Sequence, residues 1–258
     1  MQAIFHLDGD VAVASGLAAG PWDPSMQHGG APSSLIAWAA ERAACDTPMR
    51  VSRLTIDLLR PVPVAPLQIA TEVVRQGRKI QVLAIRLLAG GVEVVRASVL
   101  KVRRLPVDLP AGLGSPALAL AGPEAGAPQM IGAGGNAFGA GFDIRAVDGA
   151  FGHSGPGKIW FRLNREIVAG EPVSGVMRAA ATADFSNGVG AVLDFNRWTY
   201  INGDLTISLT RDPVGEWILL DAETWLGPDG GGLAAGRLAD RDGYFGRAVQ
   251  TLVIEPRA

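Results

Sequence analysis

The chain has 258 residues, 25 acidic and 23 basic side chains, and a formal net charge of −2. With 48% hydrophobic and 19% charged residues it can bury a sizeable core, which excludes global disorder; the length excludes a single short module. The near balance of charge, with no basic stripe, excludes an electrostatic footprint for nucleic acid.

The first ten residues, Met1 to Asp10, lack the charged-then-apolar layout of a secretion signal. No apolar run reaches the ~18 residues of a membrane span. A cytoplasmic chain with no membrane partner is the expectation. Cys45 is the single cysteine, so no internal disulfide can form, and no histidine neighbours it in sequence to make it a nucleophile.

Gly29-Gly30-Ala31-Pro32 leads into Ser33 to Ala44, an Ala-rich stretch with Leu35, Ile36 and Trp38 spread around its circumference. Proline suits a first helical turn, and a helix apolar on most faces is a buried helix. Four segments of β character follow, at 50–60, 66–75, 79–89 and 92–103, divided by Pro61-Val62-Pro63, Gln76-Gly77 and Gly90-Gly91. Residues 105–141 then change character. Of these 37 residues 23 are Ala, Gly or Pro, with no Lys or Arg and neither helix nor strand period, which reads as a linker. Beyond it Gly170-Glu171-Pro172 precedes a second small-residue helix, Val173 to Ala183, with Asn187-Gly188 as its expected stop. Segments 197–211, 216–226, 232–240 and 244–255 repeat the β pattern.

The two halves also repeat in sequence. Leu54-Thr55-Ile56-Asp57-Leu58-Leu59-Arg60 matches Leu205-Thr206-Ile207-Ser208-Leu209-Thr210-Arg211 at five of seven positions, at an offset of 151. The same ungapped offset gives 11 identities over the 44 positions from 54 to 97. A buried helix followed by about four antiparallel strands, present twice, predicts an α+β double hotdog: two antiparallel sheets, each wrapped around a central buried helix. The units are expected at 1–104 and 142–258, with 105–141 as linker.

Standard catalytic signatures are absent: no Gly-x-Ser-x-Gly, no His-Glu-x-x-His, no phosphate loop and no cysteine pair. Gly132-Ala133-Gly134-Gly135 has no strand before it, which argues against dinucleotide binding. His6, His28 and His153 are too scattered to suggest a metal centre.

One ordered set of motifs is more specific. Trp22-Asp23-Pro24-Ser25-Met26-Gln27-His28-Gly29-Gly30, Arg60-Pro61-Val62-Pro63, Asp184-Phe185-Ser186-Asn187-Gly188, Asn202-Gly203-Asp204-Leu205-Thr206 and Gly246-Arg247-Ala248-Val249-Gln250 together resemble the acyl-CoA thioesterase II (TesB-like) family. The resemblance spans nearly the whole chain outside the linker. It implies a thioester hydrolase acting on acyl-CoA, without metal or redox cofactor, and further association into homo-oligomers. It also implies that Asp184, Asn202 and Gln250 hold the hydrolytic water and that the turn His28-Gly29-Gly30 contacts substrate. At the middle position a well-known bacterial member has Thr; Asn donates and accepts but is no hydroxyl. Two alternatives stand beside this reading: a hotdog protein that binds acyl-CoA without turnover, and a hotdog acyl-CoA hydratase or dehydratase.

Read without the family, Gln250 alternates with Ala248, Leu252 and Ile254 on an apolar face, where an unpaired amide costs about 1–3 kcal/mol. Asn202 falls in register with Trp198, Tyr200 and Asp204, away from that face, unless a bulge at Gly203 re-aims it; Asp204 competes for the same role. Asp184 follows a helix end, where the dipole disfavours a carboxylate, so its placement there asks for a partner. His28 and its glycines serve equally well as a tight helix entry.

Overall fold

A computed structural model describes residues 2–114, 116–131 and 137–257; the Gly132–Gly135 run falls outside them. The first half contains β1 (Ala3–Asp8), β2 (Val11–Ala14), α1 (Gly30–Arg42), β3 (Met49–Leu58), β4 (Pro66–Gln76), β5 (Ile80–Ala89) and β6 (Val92–Arg103). The second contains β7 (Ala127–Gln129), β8 (Phe142–Asp148), β9 (Gly157–Leu163), β10 (Glu166–Val168), α2 (Gly175–Ala183), α3 (Ser186–Val189), β11 (Trp198–Asn202), β12 (Asp204–Leu209), β13 (Trp217–Leu226), β14 (Gly231–Asp240) and β15 (Gly243–Pro256). Among the described residues no helix is long and apolar enough to cross a membrane.

The strands form one 15-stranded sheet, in the order β10-β1-β2-β4-β5-β6-β3-β12-β15-β14-β13-β9-β8-β7, with β11 also pairing β15. Two separate sheets were expected; the repeated heptapeptide joins them. In β3 and β12 these matching segments pair antiparallel with each other, Thr55 opposite Thr206 and Leu54 opposite Ile207. Strand order also departs from simple hairpins. The Pro61–Pro63 connection does not join neighbours, because β3 pairs β6 and β12 while β4 pairs β2 and β5.

The internal repeat holds at the level of hydrogen-bond register, a test independent of residue identity. Thr55, Ile56 and Leu58 face Ser98, Ala97 and Val95; at the same offset Thr206, Ile207 and Leu209 face Val249, Ala248 and Gly246. The β5–β6 bulge after Leu87 recurs in β14–β15 after Leu238.

Both helices are buried on most faces, as their composition predicts. The buried hydroxyls of Ser33 and Ser34 donate to the carbonyls of Gly29 and Ala31 at 2.7 and 2.8 Å, so α1 brings no unpaired hydroxyl into the core. Its last turn is closed by Lys101, 3% exposed, whose ammonium donates to the carbonyls of Ala40 and Ala43 at 3.0 and 2.8 Å. Helix α2 starts at Ser174, whose hydroxyl accepts from the Met177 N–H at 3.1 Å. The helices cross closely at Gly30, where a Cβ would stand 2.8 Å from the Ala181 carbonyl oxygen. The larger of two apolar clusters, from Ile4 to Ala248, runs through both halves.

The 105–141 segment is more than a spacer. It supplies β7, buries Ile131 and Phe138, and offers the Ala121 carbonyl to the Trp160 indole N–H at 3.1 Å. Its paucity of large side chains hid these few anchoring positions. Nor does Asn187-Gly188 stop the second helix: the chain breaks at Asp184–Phe185 and makes one more helical turn, α3, through those residues.

Candidate active site

Where α2 ends, the chain turns against the start of α1, and Asp184 occupies that corner. It is the C-cap of α2, 3% exposed, yet its carboxylate lies against Gly29, the N-cap of α1. A helix C-terminus disfavours a carboxylate and a helix N-terminus favours one, so the crossing of the two helices supplies the partner that the sequence position asked for. Gly29 must lack a side chain here: a Cβ would sit 2.7 and 2.8 Å from the two carboxylate oxygens.

Three side chains hold this carboxylate. Asn202 Nδ2 and Gln250 Nε2 both donate to Oδ1, at 2.9 and 3.0 Å, and His28 Nδ1 lies 2.8 Å from Oδ2. Two bare acceptors would repel at that separation, so a proton lies between His28 and Asp184. Two amide N–H groups are aimed at the other oxygen, Oδ1, so both carboxylate oxygens are held. The Gly30 N–H is also directed at the same Nδ1, at 3.1 Å. The imidazole is fixed by Phe138 and Phe185, ring centroids 4.9 and 4.5 Å away.

Asn202 reaches Asp184 by a change of register. It ends β11 opposite Leu252, while Thr206 in β12 is opposite Val249, so four steps on one strand are matched by three on the other. The extra residue falls around Gly203 and swings the amide toward the helices. Asp204, the competitor for this role, faces elsewhere: its Oδ1 accepts from the Thr251 N–H at 2.6 Å and fastens the bulge. Gln250 is fully buried in β15, and its carbonyl oxygen accepts from the Asn187 N–H at 3.2 Å.

A cavity of about 720 Å³ opens onto this corner. His28, Gly29, Asp184 and Asn202 form part of its wall, whereas Gln250 stands behind Asp184 and does not reach the surface of the cavity. Much of the rest is apolar, including Trp22, Leu58, Ile131, Phe151, Phe185 and Val253. The volume and lining suit an apolar group whose reactive end meets the carboxylate. Met130, Ile131 and Phe138 come from the segment expected to be a linker and were missed as site residues. The available signal was that Phe138 is the one aromatic residue in 105–141.

Among the described residues the other half has no counterpart of this chemistry. At the repeat offset Asn202 and Gln250 correspond to Val51 and Val99, both buried. Where α1 ends near the start of α2, Glu41 accepts from the Ser174 hydroxyl at 2.6 Å, and Pro213 closes over Gly175.

Comparison with known proteins agrees with this arrangement. A family model of the acyl-CoA thioesterase N-terminal domain matches residues 18–102, and one of the acyl-CoA thioesterase C-terminal domain matches residues 117–254. No curated protein matches the chain in sequence. Among solved structures, a hotdog-fold protein of unknown function from Alicyclobacillus acidocaldarius is similar with a TM-score of 0.77 at 15% identity, covering 98% of this chain and 96% of that one. The TesB protein of Mycobacterium avium subspecies paratuberculosis gives 0.71 at 16% identity, over 98% and 96% of the two chains. The acyl-CoA thioesterase II TesB2 of Mycobacterium marinum gives 0.65 at 15%, over 98% and 94%. These likenesses establish the hotdog fold, and the two matched domain models, which together span most of the sequence, establish that the chain belongs to the acyl-CoA thioesterase family of thioester hydrolases.

Proposed function

We propose that the chain hydrolyses acyl-CoA by direct attack of a water molecule on the thioester carbonyl, with Asp184 as general base. The observation that carries this reading is a buried carboxylate on the wall of an apolar cavity, clamped by two amides and an imidazole. Asn202 and Gln250 use both acceptor directions of Oδ1, and His28 uses one on Oδ2, which leaves one lone pair on Oδ2 to take a proton. The attacking water rests on that oxygen and beside Asn202. Gln250, walled off from the cavity, acts on the water through the carboxylate that it orients.

As the carbonyl carbon becomes tetrahedral, its oxygen gains negative charge. The main chain at the start of α1, where Gly29 lies on the cavity wall, stabilises it together with the helix dipole. The intermediate collapses by expelling the CoA thiolate, a good leaving group, so no covalent enzyme intermediate is needed. The acyl chain occupies the apolar wall toward Ile131, Phe151 and Phe185.

In this reading the continuous sheet is a double hotdog with units at 1–104 and 142–258, and 105–141 both connects them and walls the cavity. The shared register at an offset of 151 supports that division. Catalysis then belongs to the second unit's Asp184, Asn202 and Gln250, with the first lending the start of α1. The test is hydrolysis of a panel of acyl-CoA thioesters by wild type and Asp184→Asn, which keeps the shape and removes the base. Loss of kcat by about 10²-fold or more at unchanged folding is expected; equal rates refute the assignment of the base. Binding of acyl-CoA without turnover by the wild type refutes catalysis altogether.

A further inference from the structure

Arg60 and Arg211 are repeat mates, yet their surroundings differ. Arg211 is fully engaged: Nη1 donates to Asp240 Oδ2 at 2.5 Å, Nη2 donates to Oδ1 at 2.6 Å, and Nη2 also reaches the Gly243 carbonyl at 3.1 Å. Asp240 is 0% exposed and accepts further from the Val214 and Asp242 N–H groups, each at 2.9 Å. This ion pair ties the loop after β12 to the β14–β15 turn.

At the repeat offset Asp240 becomes Ala89, the last residue of β5 as Asp240 is the last of β14. Arg60 therefore has no acid in the equivalent place, and among the described residues it makes no ion pair. Its loop needs none. The Val62 and Pro63 carbonyls accept from the Gln27 N–H and side-chain amide, both at 2.7 Å, and the Val64 N–H donates to Ser25 at 2.8 Å. The structural work of Arg211 is done in the first half by backbone pairing and the Gln27 side chain, and Arg60 is left exposed on the wall of the cavity. Among the described residues of that wall it is the one Lys or Arg; the acids there are Asp23, Asp184 and Glu255. Asp23 is occupied by the Ser25 hydroxyl and N–H, at 2.7 and 2.8 Å.

We propose that Arg60 is the phosphate-binding residue for the CoA portion of the substrate. The inference rests on the acyl-CoA hydrolase reading and assigns it a specificity residue. A guanidinium presents a planar fork of donors matched to phosphate oxygens, and an uncompensated cation at a largely apolar cavity is where an anionic ligand gains most. The diphosphate and the 3′-phosphate of CoA share this chemistry.

The experiment compares wild type, Arg60→Gln and Arg60→Lys on acyl-CoA, on 3′-dephospho-acyl-CoA and on the phosphate-free acyl thioester of N-acetylcysteamine. Arg60→Gln is expected to raise KM for acyl-CoA about tenfold with kcat nearly unchanged, to leave the N-acetylcysteamine thioester unaffected, and to be partly rescued by Arg60→Lys. Persistence of the KM difference on the dephospho substrate identifies the diphosphate as the group bound; its disappearance identifies the 3′-phosphate. Equal effects on phosphate-bearing and phosphate-free thioesters, or none on either, overturn the proposal. Calorimetric binding of free CoA separates this from catalysis: weaker binding to Arg60→Gln in a protein without turnover sustains the phosphate site and rejects the hydrolase, whereas equal binding by both proteins rejects the site.

Discussion

Gly29→Ala isolates the placement of the Asp184 carboxylate from every other property of the corner. Gly29 has φ −57° and ψ −24°, helical values that alanine adopts without strain, so the backbone gains about 0.4–1 kcal/mol from the smaller entropy of the unfolded chain. The added methyl, however, would lie 2.7 Å from Oδ2 and 2.8 Å from Oδ1, where ordinary contact begins at 3.4 Å. Relief requires the carboxylate to retreat by roughly 0.6 Å, which takes hydrogen bonds now near 2.9 Å outside good geometry. Misplacement on that scale costs up to about 10²-fold in rate. The expected result is kcat lower by about ten- to a hundredfold, with a melting temperature within about 4 °C of wild type. Gly16→Ala, whose Cβ would meet nothing within 4 Å, serves as the control and keeps full activity. Full activity in Gly29→Ala, with the fold intact, would mean that the chemistry does not depend on this carboxylate, and the argument from the helix crossing would fall.

Two further substitutions probe the supports of the site and of the sheet. Gln250→Leu keeps the volume but strips Asp184 of one donor and leaves the Asn187 N–H without its acceptor; a loss of about 1–3 kcal/mol in denaturant unfolding is expected together with a fall in kcat, and unchanged values of both would show that Gln250 orients nothing. Asp240→Ala strips the Arg211 guanidinium and the Val214 and Asp242 N–H groups of their acceptor, so about 1–3 kcal/mol of stability is lost in chemical denaturation, against almost none for Arg60→Gln; similar costs for both would contradict the division of labour between the repeat mates.

The features legible in the sequence are those whose cause is local. Strand segments 66–75, 79–89 and 92–103 lie within a residue of β4, β5 and β6 because alternation and Gly or Pro turns act over a few positions. The duplication was readable because an ungapped offset needs no structure to detect. Strand order was not, since no signal in 50–60 says that its neighbours are 92–103 and 204–209 rather than 66–75; that choice is made by the chain on the far side of the core. For the site, the motifs named Asp184, Asn202, Gln250 and His28, but only the helix crossing explains their contact. His28 and Asp184 are 156 positions apart in the chain and 2.8 Å apart in space. The Asn202 alternation, read strictly, aims it the wrong way; the bulge at Gly203 cures this, and the same irregularity after Val51 in β3 shows it to be part of the repeated unit. Phe138 was lost in a segment whose average composition masks its few anchoring side chains.

The self-pairing of the duplicated heptapeptide has one more implication. An antiparallel contact in which the same stretch meets itself, Thr55 against Thr206, is the geometry of an isologous twofold interface, in which each surface is its own complement. Two identical chains meeting this way would carry every substitution twice, so an amide gained for reactivity on one side would appear on the other too. Covalent fusion removes that constraint. One half of the present molecule is free to hold valines at positions 51 and 99 and alanine at 89, packing against the core, while its twin holds polar groups in the corresponding places. Asymmetry between the halves is thus a freedom conferred by the single chain.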